Sequence, residues 1–215
     1  MTSTKFKEIK VLSKLDFQNI TKNKSSSLNA LESLKEGKVF LIKNVLDSSN
    51  IKKILDYFES NRAKEDFKYT NNPKVVQNIS NLRYVSKNED LSKISKNYYT
   101  ACDRSFYIFP WNEDKSPVTK NLNEFYDHVL TFQGLNPEEI KSKKPIDGSV
   151  QRIHLINYPF NTGHISLHTD PNKVCNVICG IYLTEYGKDY AGGGFYALNH
   201  ENIEILLDNN FSAGD

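Results

Sequence analysis

Residues 168 to 170 read His168-Thr169-Asp170, the one place in the chain where types and spacing suit a metal ion. On an extended segment, residues i and i+2 project to the same side, so one imidazole nitrogen and one carboxylate oxygen can converge on a single cation. Two imidazoles and one carboxylate on one octahedral face, with the remaining positions open, is a donor set suited to ferrous ion. The sequence displays two of those three donors together.

The surrounding segments must hold that pair in place. A strand is predicted over 150–158, with Arg152, His154, Ile156 and Tyr158 on one face and Asn157-Tyr158-Pro159 at its end. Gly163 permits a turn that brings the chain back to a second strand over Ile165 to His168. Arg152, His154 and Asn157 are therefore candidate pocket residues. The apolar run from Val174 predicts a long buried strand ending at Thr184, with Cys175 and Cys179 as small core side chains. Four residues of strand would separate these cysteines by about 13 Å, too far for a disulfide. Gly192-Gly193-Gly194 reads as a tight hairpin, since a phosphate loop would need a following lysine and helix. Phe195 to Leu198 and Ile203 to Leu207 are two more short strands. Closely spaced strands punctuated by glycine suggest a sandwich or barrel.

The earlier part of the chain alternates helical patterns with short strands. Leu28, Leu31 and Leu34 suit a helix ending at Gly37, followed by a strand over Val39 to Ile42. Ser48 or Ser49 can cap a helix carrying Ile51, Ile54, Leu55 and Phe58. The stretch Thr21 to Ser27 reads as a surface loop, and 62–90 as irregular. Leu91 to Tyr98 reads as helical and Phe106 to Trp111 as a packing strand. A further helix fits Val118 to Phe132, with Leu122, Phe125, Tyr126, Val129 and Leu130 on its apolar side and His128 in a structural or solvated role.

At 215 residues, with 38% hydrophobic and 12% aromatic content, the chain suits one globular domain. No apolar run approaches the roughly 20 residues a membrane helix needs, and the first residues lack a secretory core, so a cytoplasmic location is expected. Three cysteines do not suggest a disulfide framework. The net charge of +2 is uneven: residues 151–215 carry three basic and seven acidic side chains, a net of −4, which leaves +6 elsewhere. Lys141, Lys143 and Lys144 form the one basic cluster, without interleaved aromatics, so it gives no nucleic-acid signal.

Taken together, Asn157-Tyr158-Pro159, Gly163, His168-Thr169-Asp170, Gly192-Gly193-Gly194-Phe195-Tyr196 and Ser212-Ala213-Gly214-Asp215 resemble the 2-oxoglutarate and Fe(II) dependent oxygenases of the double-stranded beta-helix fold. The resemblance spans 148–215, with 1–147 as the helix and strand surround such enzymes tend to have. It implies an α+β protein whose jelly-roll, cupin-like core carries N-terminal helices packed on the sheet. It also implies that His168 and Asp170 are iron ligands and that Tyr158 offers its phenol to the cosubstrate carboxylate. Fe(II) and 2-oxoglutarate would be the cofactors and dioxygen the cosubstrate. A small-molecule substrate would be hydroxylated, with release of succinate and carbon dioxide. The Asp170 carboxylate occupies the position that halogenating relatives leave for chloride, which favours hydroxylation. In the family a distal histidine, and then a basic residue that anchors 2-oxoglutarate, follow the Gly-Asp turn. The sequence stops at Asp215, so a fragment lacking both is expected. His200 and His164 are the histidines that could supply a third ligand, and both read as exposed loop residues. The alternative is a cupin-like metal-binding barrel or a non-catalytic interaction module.

Overall fold

The computed structural model describes residues 5–61, 84–86, 100–101, 104–108, 117–142, 153–158, 163–165, 167–168 and 177–215. In chain order the elements are β1 (Glu8–Ser13), α1 (Lys14–Lys22), α2 (Lys24–Lys35), β2 (Lys38–Lys43), α3 (Ser48–Asn61), β3 (Tyr84–Ser86), β4 (Thr100–Ala101) and β5 (Arg104–Ile108). They continue with α4 (Pro117–Phe132), α5 (Pro137–Ser142), β6 (Ile153–Asn157), β7 (His164–Ile165), β8 (Tyr196–Leu198) and β9 (Glu204–Leu206). Helix and strand are mixed, as an α+β protein requires. Among the described residues the strands pair as β1-β2, β3-β5-β6, β4-β7 and β8-β9. Leu91 to Tyr98 and Pro110 to Trp111 lie outside the described residues. The same holds for most of the 62–90 stretch read as irregular, of which 84–86 is strand.

The chain divides into two compact units. The first comprises Met1–Leu55, Asn121–Leu135 and Asn176–Asp215. Here β1 and β2 run parallel, in register from Glu8 opposite Lys38 to Ser13 opposite Lys43, and α1 and α2 make the crossover. The first helix starts where a capping box demands it: Ser13 Oγ accepts the Asp16 N–H at 3.0 Å, and the Asp16 carboxylate accepts the Ser13 N–H at 3.2 Å. The side-chain hydrogen bond from Ser13 holds the Asp16 carboxyl below its ordinary range. Asn23 then caps α2 by accepting the Ser26 N–H at 3.0 Å.

Residues 21–27, expected as a surface loop, are instead the joint between two helices, with Thr21 and Ser27 buried. Their hydroxyls donate to the Gln18 and Ile20 carbonyls, so they enter the core without an unsatisfied group. The helix ends near Gly37 as expected, at φ +92, where a Cβ would strike the Lys5 carbonyl. The next helix, α3, is capped by Asp47, which accepts the Asn50 N–H at 2.7 Å, and not by Ser48 or Ser49.

An aromatic core joins these elements. The Phe17 ring lies 5.6 Å from both Phe125 and Phe132, and Phe40 meets Phe132 edge-on at 6.5 Å. Ile54, Leu130 and Leu207 are almost wholly enclosed. His128 on α4 has a structural role. The Thr21 hydroxyl proton goes to Gln18, so the His128 Nδ1–H is the donor to Thr21 Oγ1 at 3.0 Å.

The long buried strand expected from Val174 to Thr184 is not formed over the described part of that run, 177–184. Ile178 and Cys179 are exposed there. Among the described residues no strand lies alongside; the Tyr182 N–H donates to the Asp215 carbonyl and the Tyr182 carbonyl accepts the Gly214 N–H. The hairpin also falls elsewhere than expected. It joins β8 to β9 through Asn199–Asn202, where the Asn199 side chain accepts two backbone N–H groups and Asn202 adopts φ 62. The glycine run precedes β8 instead.

The second unit comprises Asp56–Lys120 and Asn136–Cys175. Its centre is an antiparallel ladder in which Arg104 to Ile108 on β5 pair with Asn157 to Ile153 on β6, while β3 covers the other edge of β5. A little further along, Thr100 and Ala101 on β4 pair with Ile165 and His164 on β7. Two residues separate β4 from β5, whereas six, 158–163, separate β6 from β7. Both β6 and β7 thus run antiparallel to strands drawn from one short stretch, 100–108. The turn expected at Gly163 follows residues 159–162, which lie outside the described residues.

Candidate functional site

The candidate residues divide between those the structure places and those it does not describe. His154, Ile156 and Tyr158 are exposed and alternate with buried Leu155, so the face they share along β6 is the open one. Tyr158, directly after β6, is 40% exposed. Asn157 is also exposed, opposite Arg104 in register. His168 lies three residues past the end of β7 and is exposed. Leu167 occupies a bend, so the strand predicted to reach His168 stops at Ile165 and regular alternation does not extend to the His-x-Asp step. Asp170 and Arg152 lie outside the described residues. His168 and Tyr158 belong to the same unit.

Of the two histidines that could complete a ligand set, His164 is on β7 opposite Ala101, and His200 is exposed in the β8–β9 turn of the other unit. Among the described residues no three His, Cys, Asp or Glu side chains are grouped to hold a metal, and Asp170 is not among them.

Two carboxylates in the first unit are buried in ways the sequence reading did not anticipate. Asp215 is buried, its side chain 2% exposed, and is fully partnered. It accepts from Lys43 Nζ at 2.5 Å, from the Ser212 N–H at 2.8 Å and from the Asn44 N–H at 3.0 Å. Burial alone would raise this carboxyl, but these three donors outweigh it and hold it below the ordinary carboxylate range. Gly214 beside it takes φ +97, and its carbonyl accepts the Leu46 N–H. The other carboxylate, Asp208, follows β9 and is 2% exposed. Its Oδ2 accepts the Tyr190 phenol proton at 2.5 Å, while Oδ1 is buried with no hydrogen-bond partner. Both partners of each pair are far apart in the chain, and an acidic residue after an apolar strand carries no local signal of burial.

No protein-family model matches the chain, and no curated protein or solved structure matches it either. Among the described residues no helix is long and apolar enough to cross a membrane.

Proposed function

We propose that the chain belongs to an Fe(II) and 2-oxoglutarate dependent oxygenase that hydroxylates a small molecule in the cytoplasm, on a double-stranded beta-helix core. His168 and Asp170 hold the iron and Tyr158 takes a carboxylate oxygen of 2-oxoglutarate. The observation that supports the reading is the exposure of Tyr158, directly after β6, and of His168, three residues past β7, in one unit. Both donors face solvent, where a hydrated ion and a dicarboxylate can reach them.

The iron would supply oxidative decarboxylation of 2-oxoglutarate coupled to oxygen insertion into a C–H bond. The residues of the chain have simpler tasks. His168 offers a neutral imidazole nitrogen, Asp170 an anionic oxygen that offsets part of the metal charge, and Tyr158 a phenol proton that orients a carboxylate. On the face of β6 that leads to Tyr158, the exposed side chains are His154 and Ile156.

Adding Fe(II) and 2-oxoglutarate to the protein without oxygen tests this. A weak visible charge-transfer band is expected, absent from His168→Ala and from Asp170→Ala and weakened in Tyr158→Phe. A wild-type protein without the band, or a band unchanged in either ligand variant, overturns the assignment; a cupin-like module without this chemistry gives the first result.

A further inference from the structure

A buried carboxylate is costly unless its oxygens are satisfied, and among the described residues Asp208 satisfies only one of them. Around it two phenols converge. Tyr190 donates to Oδ2, and the Tyr182 phenol is raised above its ordinary range first by burial and then by the Asp208 charge. Tyr190 is packed edge-on by Tyr186 at 5.5 Å, and Tyr182 lies 4.7 Å from the Phe211 ring. The remaining wall is backbone. At Gly194, φ +115, a Cβ would stand 2.9 Å from Asp208 Oδ2 and 2.7 Å from Leu206 Cδ1, so the backbone there packs directly against the carboxylate.

We propose that Asp208, beside Tyr190 and Gly194, is a binding site for a primary ammonium group. The unpartnered Oδ1 calls for a hydrogen-bond donor, and the uncompensated negative charge calls for a cation. A primary ammonium is both, with three N–H donors. One N–H bonds to Oδ1 as a charge-assisted pair. A second bonds to Tyr190 Oη, whose own proton is committed to Oδ2 and whose lone pairs are open. The phenol rings add attraction through their electron-rich faces. A quaternary ammonium meets the charge requirement but has no N–H to offer. A hard metal ion requires about six oxygens, more than one carboxylate and two phenols provide. Gly192 and Gly193, with φ of 73 and 66, adjoin Gly194 and have open space around them.

The test is an NMR titration of the protein with methylammonium chloride, against tetramethylammonium chloride and potassium chloride at matched ionic strength. Methylammonium is expected to bind saturably, at least about tenfold tighter than tetramethylammonium, with shifts centred on Tyr190 and Asp208. Asp208→Asn should lose the binding and Tyr190→Phe, which retains the carboxylate, should weaken it. Nα-acetyl-lysine amide separates two sources of the same group: tighter binding than methylammonium assigns a lysine side chain, and equal binding assigns a free amine. No saturable binding, equal affinity for the methyl and tetramethyl cations, or wild-type affinity in a folded Asp208→Asn or Tyr190→Phe variant overturns the proposal.

Discussion

Replacing Lys43 by methionine tests how the first unit fastens its last residues. The substitution retains most of the apolar stem and removes the ammonium that sits 2.5 Å from the Asp215 carboxylate. That ammonium also donates to the Asn210 carbonyl at 3.0 Å, so two acceptors lose it. Stripping a buried carboxylate of its cation costs about 3–5 kcal/mol when nothing else compensates. Here the Asn44 and Ser212 N–H groups remain, and the Lys43 side chain is 32% exposed, so water screens part of the attraction. About 2 kcal/mol is the expected loss, a fall of about 1 M in the urea midpoint followed by circular dichroism. Acid has a defined direction. The Asp215 carboxyl is held below its unfolded value, so its contribution is fully present above the unfolded pKa of about 4 and is lost as pH falls through the lower folded value. The midpoint difference between wild type and Asp215→Asn should therefore stand at pH 7 and shrink by pH 3. A Lys43→Met midpoint within about 0.2 M of wild type at pH 7, or a difference from Asp215→Asn that persists undiminished at pH 3, would refute the reasoning.

The same fastening is tested at Gly214. An alanine there meets both a left-handed φ of +97 and a Cβ position 2.3 Å from the Leu46 carbonyl, so Gly214→Ala should cost at least about 3 kcal/mol, read as a lowered urea midpoint. Phe17→Ala removes the ring that lies 5.6 Å from both Phe125 and Phe132 and is 3% exposed; a loss of about 3–5 kcal/mol is expected in the same assay, and a loss under about 1 kcal/mol would mean that the rings repack to close the gap.

How far the fold could be read in advance depended on whether a segment carries its own signal. The α4 helix and β2 did, because apolar residues recur at helical spacing in the first and β-branched residues crowd the second. The end of α2 did, because only glycine sits easily at φ +92. The α1–α2 joint did not: Thr21 and Ser27 are polar by type, and their burial rests on hydroxyl bonds to carbonyls that no periodicity encodes. The run 177–184 misled in the opposite sense, since its composition suits a strand but its backbone partners are the residues 214–215 at the other end of the segment.

The same distinction governs the candidate site. His154 and Tyr158 were legible because one ladder fixes the parity of β6, and Leu155 confirms which face is inward. His168 lies past the bend at Leu167, where strand parity no longer says which way a side chain points. Asp208 marks the limit from the other side. Nothing within the sequence from Ile205 to Asn210 distinguishes it from an ordinary carboxylate after a strand, and its character comes from Tyr190, 18 residues earlier, and from the glycine at 194. A site made by such pairings is invisible to spacing and must be found by asking, for each buried polar atom, what it bonds to; at Asp208 Oδ1 that question has no answer among the described residues, which is why the proposed partner is a ligand.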